Sequence, residues 1–145
     1  SSVFTVGNST GTNSNNENFI AYCFAEKTGY SKFSYYTSSG SSNGPFIFTG
    51  MKPKFLLIKN TDDSSEWEIY DFERIGYNEA NYHLNAHNTD TEAALSGRLD
   101  LLSNGFKIKV TNSGPINSGT SGRNYIYAAF GQSLVGSNNV PCIAR

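Results

Sequence analysis

His83 and His87 are the two histidines of this 145-residue chain, and they stand four positions apart in NYHLNAHNTD, residues 81–90. On a helix that spacing lays two imidazoles on one face, the arrangement many metal sites use. Asp90 and Glu92 follow closely enough to add oxygen ligands. Three asparagines argue against the helix, because Asn81, Asn85 and Asn88 are poor helix formers. Leu84 also occupies the position where a His-Glu-x-x-His site carries its general base. The pair therefore reads as a solvated surface excursion, with His83 and His87 as contact residues at a loop tip and no metal centre.

Other chemical patterns meet the same test. GSSNG (40–44) has the Gly-x-Ser-x-Gly form of a nucleophile elbow around Ser42, and Asp71 and His83 follow in the order acid, histidine. An elbow needs a buried strand before it and a helix after it. Here a Gly/Ser loop precedes, and Pro45 with FIF follows. Glu66 and Glu68 share one face of a strand, with Asp71 and Glu73 beyond, as paired glycosidase carboxylates could; the plainer reading is the solvent side of an amphipathic strand. Asp62, Asp63 and Glu66 could hold calcium, but they lack the spaced ligands of an EF-hand and suit a polar hairpin turn. No catalytic residue, metal or cofactor is assigned. Cys23 and Cys142 form neither a disulfide framework nor a zinc site, and both read as free thiols, Cys23 in a buried strand. Tyrosines in polar stretches remain: Tyr35, Tyr36, Tyr77 and Tyr82, beside His83 and His87, are the ligand-binding candidates, because exposed rings stack on sugars and form protein interfaces.

The elements that must position these groups are strands. The start reads as a short strand and a polar loop (1–18). NFIAYCFAE (18–26) is apolar on both faces and predicts a strand buried on two sides. SKFSYYT (31–37), PFIFTG, PKFLLIKNT and WEIYDF (67–72) follow, and 54–60 with 66–72 predicts a hairpin. Gly50 to Pro53 marks a bend. Trp67 reads as core and Asp71–Arg74 as an ion pair. Residues 89–96 predict a short helix, because Thr89 and Glu92 have capping-box spacing. Ser103-Asn104-Gly105 predicts a second hairpin, YIYAAFG a last strand, and 133–145 a tail. NFIAYCFAE echoes NYIYAAFGQ (124–132) in pattern.

Composition agrees. Asn, Ser, Thr and Gly make up roughly two residues in five, well above ordinary usage. Charged residues are 16 % and aromatics 14 %, which sets the chain apart from disordered sequences. The expectation is one domain over 1–145, all-β with little or no helix: a two-sheet antiparallel β-sandwich, jelly-roll-like, with an orthogonal barrel as the alternative. Net charge is -1 without a Lys/Arg run, so no nucleic-acid partner is expected. No apolar run reaches span length, so no membrane insertion is expected. A start at Ser1 reads as a processed or excised piece of a longer protein.

Tyr-Cys-Phe-Ala-Glu, Gly-Tyr-Ser-Lys-Phe, Gly-Pro-Phe, a Leu-Ile-Lys strand and Trp-Glu-Ile-Tyr-Asp occur in that order, followed by LDLLSNGFKIKVTN, NYIYAAFGQS and VPCIAR. This succession resembles a domain of virion and tail-fibre-like proteins of marine bacteriophages, cyanophage-like ones especially. It covers most of 19–145 and departs in 75–97 and in the loops 7–18 and 113–123. The resemblance implies a virion structural domain and carries over no catalytic residue. The expected function is thus a non-enzymatic module of a tail fibre, appendage or capsid decoration. Expected partners are other copies of itself (a homotrimer in a fibre), other virion proteins and a host-surface glycan or protein. The alternatives are a glycan depolymerase using Glu66, Glu68 or Asp71, and a non-viral carbohydrate-binding module.

Overall fold

The computed structural model describes residues 3–75 and 77–133. Eight strands make one antiparallel sheet: β1 (Ser31–Thr37), β2 (Phe46–Phe48), β3 (Met51–Asn60), β4 (Trp67–Asp71), β5 (Ala80–Asn85), β6 (Ala93–Leu102), β7 (Gly105–Ile108) and β8 (Asn124–Ser133). Their order is β1-β8-β3-β4-β5-β6-β7-β2. Two single turns of helix, α1 (Thr10–Asn13) and α2 (Phe72–Ile75), are the only helices among the described residues. No described helix is long and apolar enough to cross a membrane. The all-β expectation is met.

Both predicted hairpins form. β3 pairs β4 with Leu57 opposite Ile69, and β6 pairs β7 with Leu102 opposite Gly105. Gly50, at φ 70, turns the chain from β2 into β3, a backbone region that favours glycine. Pro53 lies inside β3, where the register to β8 slips between Pro53 and Phe55, a position that tolerates the missing donor.

The sheet curls, so one face becomes the core. Leu56, Ile58, Tyr70, Leu99, Phe106, Ile108, Tyr125 and Ala129 are fully enclosed there. β1 and β7 approach across it: Tyr36 meets Phe106 edge-on at 6.2 Å and stacks on Tyr125 at 4.9 Å. The two edge strands, β1 and β2, face a cleft of about 430 Å³ lined by Glu26, Ser31, Lys32, Phe48 and Thr49. Buried polar atoms are tied down. Asn60 donates to Gly114 O and the Tyr125 hydroxyl and accepts from Asp62 N–H. Asn117 donates to the Ser41 and Val110 carbonyls.

Several expectations fail. Residues 3–6 and 18–26 form no strand; both stretches are exposed, Cys23 included. Cys142 lies outside the described residues, as does the rest of the tail from 134. Among the described residues, the bridge before β1 is the isolated Lys27–Ser31 pair. Glu26 explains why the chain leaves the sheet there. Its carboxylate accepts the Phe33 N–H that an incoming strand would bond, and it pairs with Lys32. The predicted helix at 89–96 is instead an irregular approach over 89–92 that runs into β6 from Ala93. Glu92 reaches Arg74 at 2.5 Å rather than capping a turn.

Candidate functional site

The histidine stretch is a strand and not an excursion. β5 places His83 inside the sheet's curl, where alternation sends Tyr82 and Leu84 outward. His83 is therefore no loop-tip contact. Its Nε2 lies 3.7 Å from Glu68 Oε1, and its ring faces Tyr70 at 6.1 Å. His87 is exposed in the following turn, where its Nδ1 accepts the Trp67 N–H at 3.5 Å.

Glu68 anchors this interior. It was read as solvent-facing, but the parity of β4 sends Glu68 and Tyr70 inward and Trp67 and Ile69 outward. Arg98, on β6, donates to both Glu68 oxygens at 2.7 and 2.6 Å and to Ser113 Oγ at 2.9 Å. Tyr70 donates to Glu68 Oε2 at 2.6 Å. Burial, with the Glu68 carboxylate beside it, pushes the Tyr70 hydroxyl well above its ordinary range. Burial also holds His83 below its usual 6.5, against the pull of Glu68 in the other direction. Among the described residues, His83 Nδ1, Arg98 Nε and Asn85 Oδ1 are buried without a hydrogen-bond partner. With Glu68 only 2 % exposed, the cluster works as an internal clamp between β4, β5 and β6. A carboxylate engaged by a guanidinium and a phenol is a poor proton donor or nucleophile.

The other chemical readings do not assemble. Ser42 is exposed in the loop before β2, Asp71 pairs Arg74 at 3.2 Å as expected, and His83 is interior. Asp62 accepts from Asn124 N–H, and Asp63 from Ser65 N–H. Among the described residues no three of His, Cys, Asp and Glu come together as metal ligands would.

One coherent feature of the described surface is the outer face of β1, β8, β3 and β4. Register aligns its side chains in rows. One row runs Phe33, Ala128, Leu57, Ile69 and on to Leu84 of β5; the next runs Tyr35, Ile126, Lys59 and Trp67; Phe130 and Phe55 lie on the other side. Tyr35 is 73 % exposed and Trp67 37 %. Phe33, Tyr35, Leu57, Trp67, Ile126 and Ala128 line a shallow hollow of about 440 Å³. Phe24, from the preceding segment, covers its Phe130 end, with ring centroids 5.9 Å from Phe33 and 5.6 Å from Phe130.

Of the sequence candidates, Tyr35 belongs to this face and His87 touches its border at Trp67. Tyr82 points outward on β5, and Tyr77 is exposed in the bend before it. Tyr36 is corrected: it is core, and its hydroxyl donates to Ile116 O at 2.7 Å. Trp67, read as core, is a surface residue. Sequence reasoning passed over Phe33, Leu57 and Ile126. The available signal was the run Phe55-Leu56-Leu57-Ile58, apolar on both sides of a strand, which demands a cover for each face.

Residues 1–133 match the family model described as Domain of unknown function (DUF7483). No curated protein and no solved structure matches the chain.

Proposed function

We propose that this chain, which belongs to the DUF7483 family, is a non-enzymatic assembly and attachment module that docks through the outer face of β1, β8, β3 and β4. The observation that carries this is the largely apolar hollow lined by Phe33, Tyr35, Leu57, Trp67, Ile126 and Ala128, with the charged Lys59 standing in its rows. A contiguous exposed patch with aliphatic side chains between aromatic rings is the composition of a protein interface. Because hydrogen bonds fix a sugar in its site, and this hollow is lined almost wholly by carbon, a protein partner fits it better than a glycan. The glycan depolymerase reading is disfavoured by the locked state of Glu68.

The setting we propose is a bacteriophage virion, as a domain of a tail fibre, appendage or capsid decoration, extracellular on the particle. The support is the ordered succession of motifs from Tyr-Cys-Phe-Ala-Glu to VPCIAR. Within that setting we read the sheet as two packed halves, β1-β8-β3-β4 and β5-β6-β7-β2. The 5.5 Å contact of Phe106 with Tyr127 is the kind of inter-layer packing a sandwich core has. Imaging purified particles with an antibody to this chain tests the assignment. Label at a regular position on the particle is expected; label confined to the infected cell's soluble fraction would refute it.

A further inference from the structure

The segment before β1 is the second large apolar surface. Between residues 3 and 26 the chain forms only one helical turn, and Val3, Phe4, Val6, Phe19, Ile20, Tyr22 and Phe24 are all exposed. Ile20 is 81 % and Tyr22 82 % open. Single exposed apolar residues are ordinary, but a run of them with strand-like spacing implies a cover.

Three observations say what the cover is. First, this arm already touches the outer face: Phe24 packs on Phe33 and Phe130. The arm's other large apolar side chains, Phe19, Ile20 and Tyr22, are exposed. Second, residues 18–26 repeat the pattern of β8, with Phe24 corresponding to Phe130. Both phenylalanines meet the same ring, Phe33. The arm thus carries the side-chain pattern that β1 already accepts along its other edge. Third, among the described residues that edge of β1 is closed only at its start. Ser31 N–H goes to Lys27 O and Phe33 N–H to Glu26 Oε1. By the same alternation the Tyr35 and Thr37 N–H groups point away from β8, beyond the reach of those caps. Glu26 keeps the chain's own arm from running along this edge and turns it outward.

We infer that residues 18–24 of one copy lie over the Tyr35–Ile126–Trp67 part of the outer face of a second copy, joining chains into a closed homo-oligomer by exchange of arms. The inference rests on the assembly reading of that face and narrows it to one occupant. Reciprocal exchange satisfies both apolar surfaces at once and leaves none to propagate, as closed symmetry requires. The arm would reach that face past the open Tyr35–Thr37 end of the β1 edge.

Two variants of the full chain test it by sedimentation: Ile20→Glu with Tyr22→Glu on the arm, and Tyr35→Glu with Ile126→Glu on the face. All four positions are exposed, and thermal melts confirm that each variant folds. The wild-type chain is expected to sediment as two or more copies. Each variant alone should associate at least about tenfold more weakly, the scale of losing interface anchors. An equimolar mixture should recover association above either variant alone, because the good arm of one meets the good face of the other. Face-to-face pairing predicts instead that the arm variant associates like wild type, which would overturn arm exchange. A wild-type chain that remains monomeric, while the face variant is still lost from particles, overturns arm exchange and leaves the assembly reading standing. A monomeric wild type whose face variant stays on particles overturns both.

Discussion

Strands β1, β8, β3 and β4 carry apolar residues on both faces, and the two faces have opposite fates. Inward, Tyr36, Leu56, Ile58, Tyr70 and Tyr125 are closed off by the rest of the sheet. Outward, Phe33, Leu57, Ile69 and Ile126 are of similar hydrophobicity, and among the described residues Phe24 and Tyr30 pack over the Phe130 end. Curl decides which is core: eight strands wrap about one face, and the opposite face is left convex. Each large side chain on the inner face contributes about 1.5–3 kcal/mol through burial. Each one on the outer face retains part of that as potential binding energy. The polar groups follow the same division. Inside, the Glu68 carboxylate is engaged by Arg98 and Tyr70; outside, Lys59 stands between Ile126 and Trp67, and Asp71 closes the row of Phe130 and Phe55.

Breaking the inner clamp should have the largest effect. Arg98→Met leaves the Glu68 carboxylate buried with its guanidinium gone, a loss of about 3–5 kcal/mol in chemical denaturation. Adding Glu68→Leu should recover most of it, since an apolar pair replaces an ion pair without a stranded charge. If the single and double variants unfold at the same denaturant concentration, the clamp is not what holds β4 to β6.

Tyr125→Phe comes next. The lost hydroxyl donates to Gly114 O and accepts from Asn60 and Ser118 N–H, so about 1–3 kcal/mol should go with it. Urea titration of the variant against wild type measures this. A loss near zero would mean that a water takes over its partners.

Acid should then separate His83 from the carboxylates. Burial holds His83 below 6.5 in the folded chain, so the unfolded chain takes up that proton first. Stability therefore falls as pH drops below about 6.5 and levels once the folded-state value is passed. Lower down, Glu26, Asp63 and Glu79, all held below their ordinary values by hydrogen bonds and cations, begin to protonate. Thermal melts between about pH 7 and pH 5 should slope for wild type and flatten for His83→Gln. An unchanged slope would place the titration elsewhere.

The smallest effect belongs outside. Tyr35→Ser should change the stability of the separated chain by no more than about 0.5 kcal/mol, measured at a dilution where copies dissociate. A much larger loss would show that the outer face is covered within one chain, and the contrast between faces would collapse.

Much of the strand plan was legible in the sequence. The hairpins at β3–β4 and β6–β7 follow from turn residues flanked by apolar runs, and β8 from its aromatic alternation. Those are local signals, acting within a dozen residues. The misreadings are all of one kind. NFIAYCFAE has the composition of a doubly buried strand, but Glu26 occupies the edge that the strand would need. His83 and His87 were read as contact residues of a surface loop, yet β5 pairs with β4 and β6 and sends His83 inward. Glu68 and Trp67 were assigned to each other's faces, because both faces of β4 carry apolar residues and alternation alone cannot say which one turns inward.

The sequence by itself determined that this chain is all-β, and that its strands turn between β3 and β4 and at Ser103-Asn104-Gly105. Those properties reside in neighbouring residues, whose φ/ψ preferences and two-residue periodicity act without the rest of the chain. Only the tertiary structure decided which apolar face was enclosed, that Arg98 meets Glu68 across thirty positions of sequence, and that the arm before β1 stays outside. Such outcomes depend on sheet order and curl, which bring together groups that no local spacing relates.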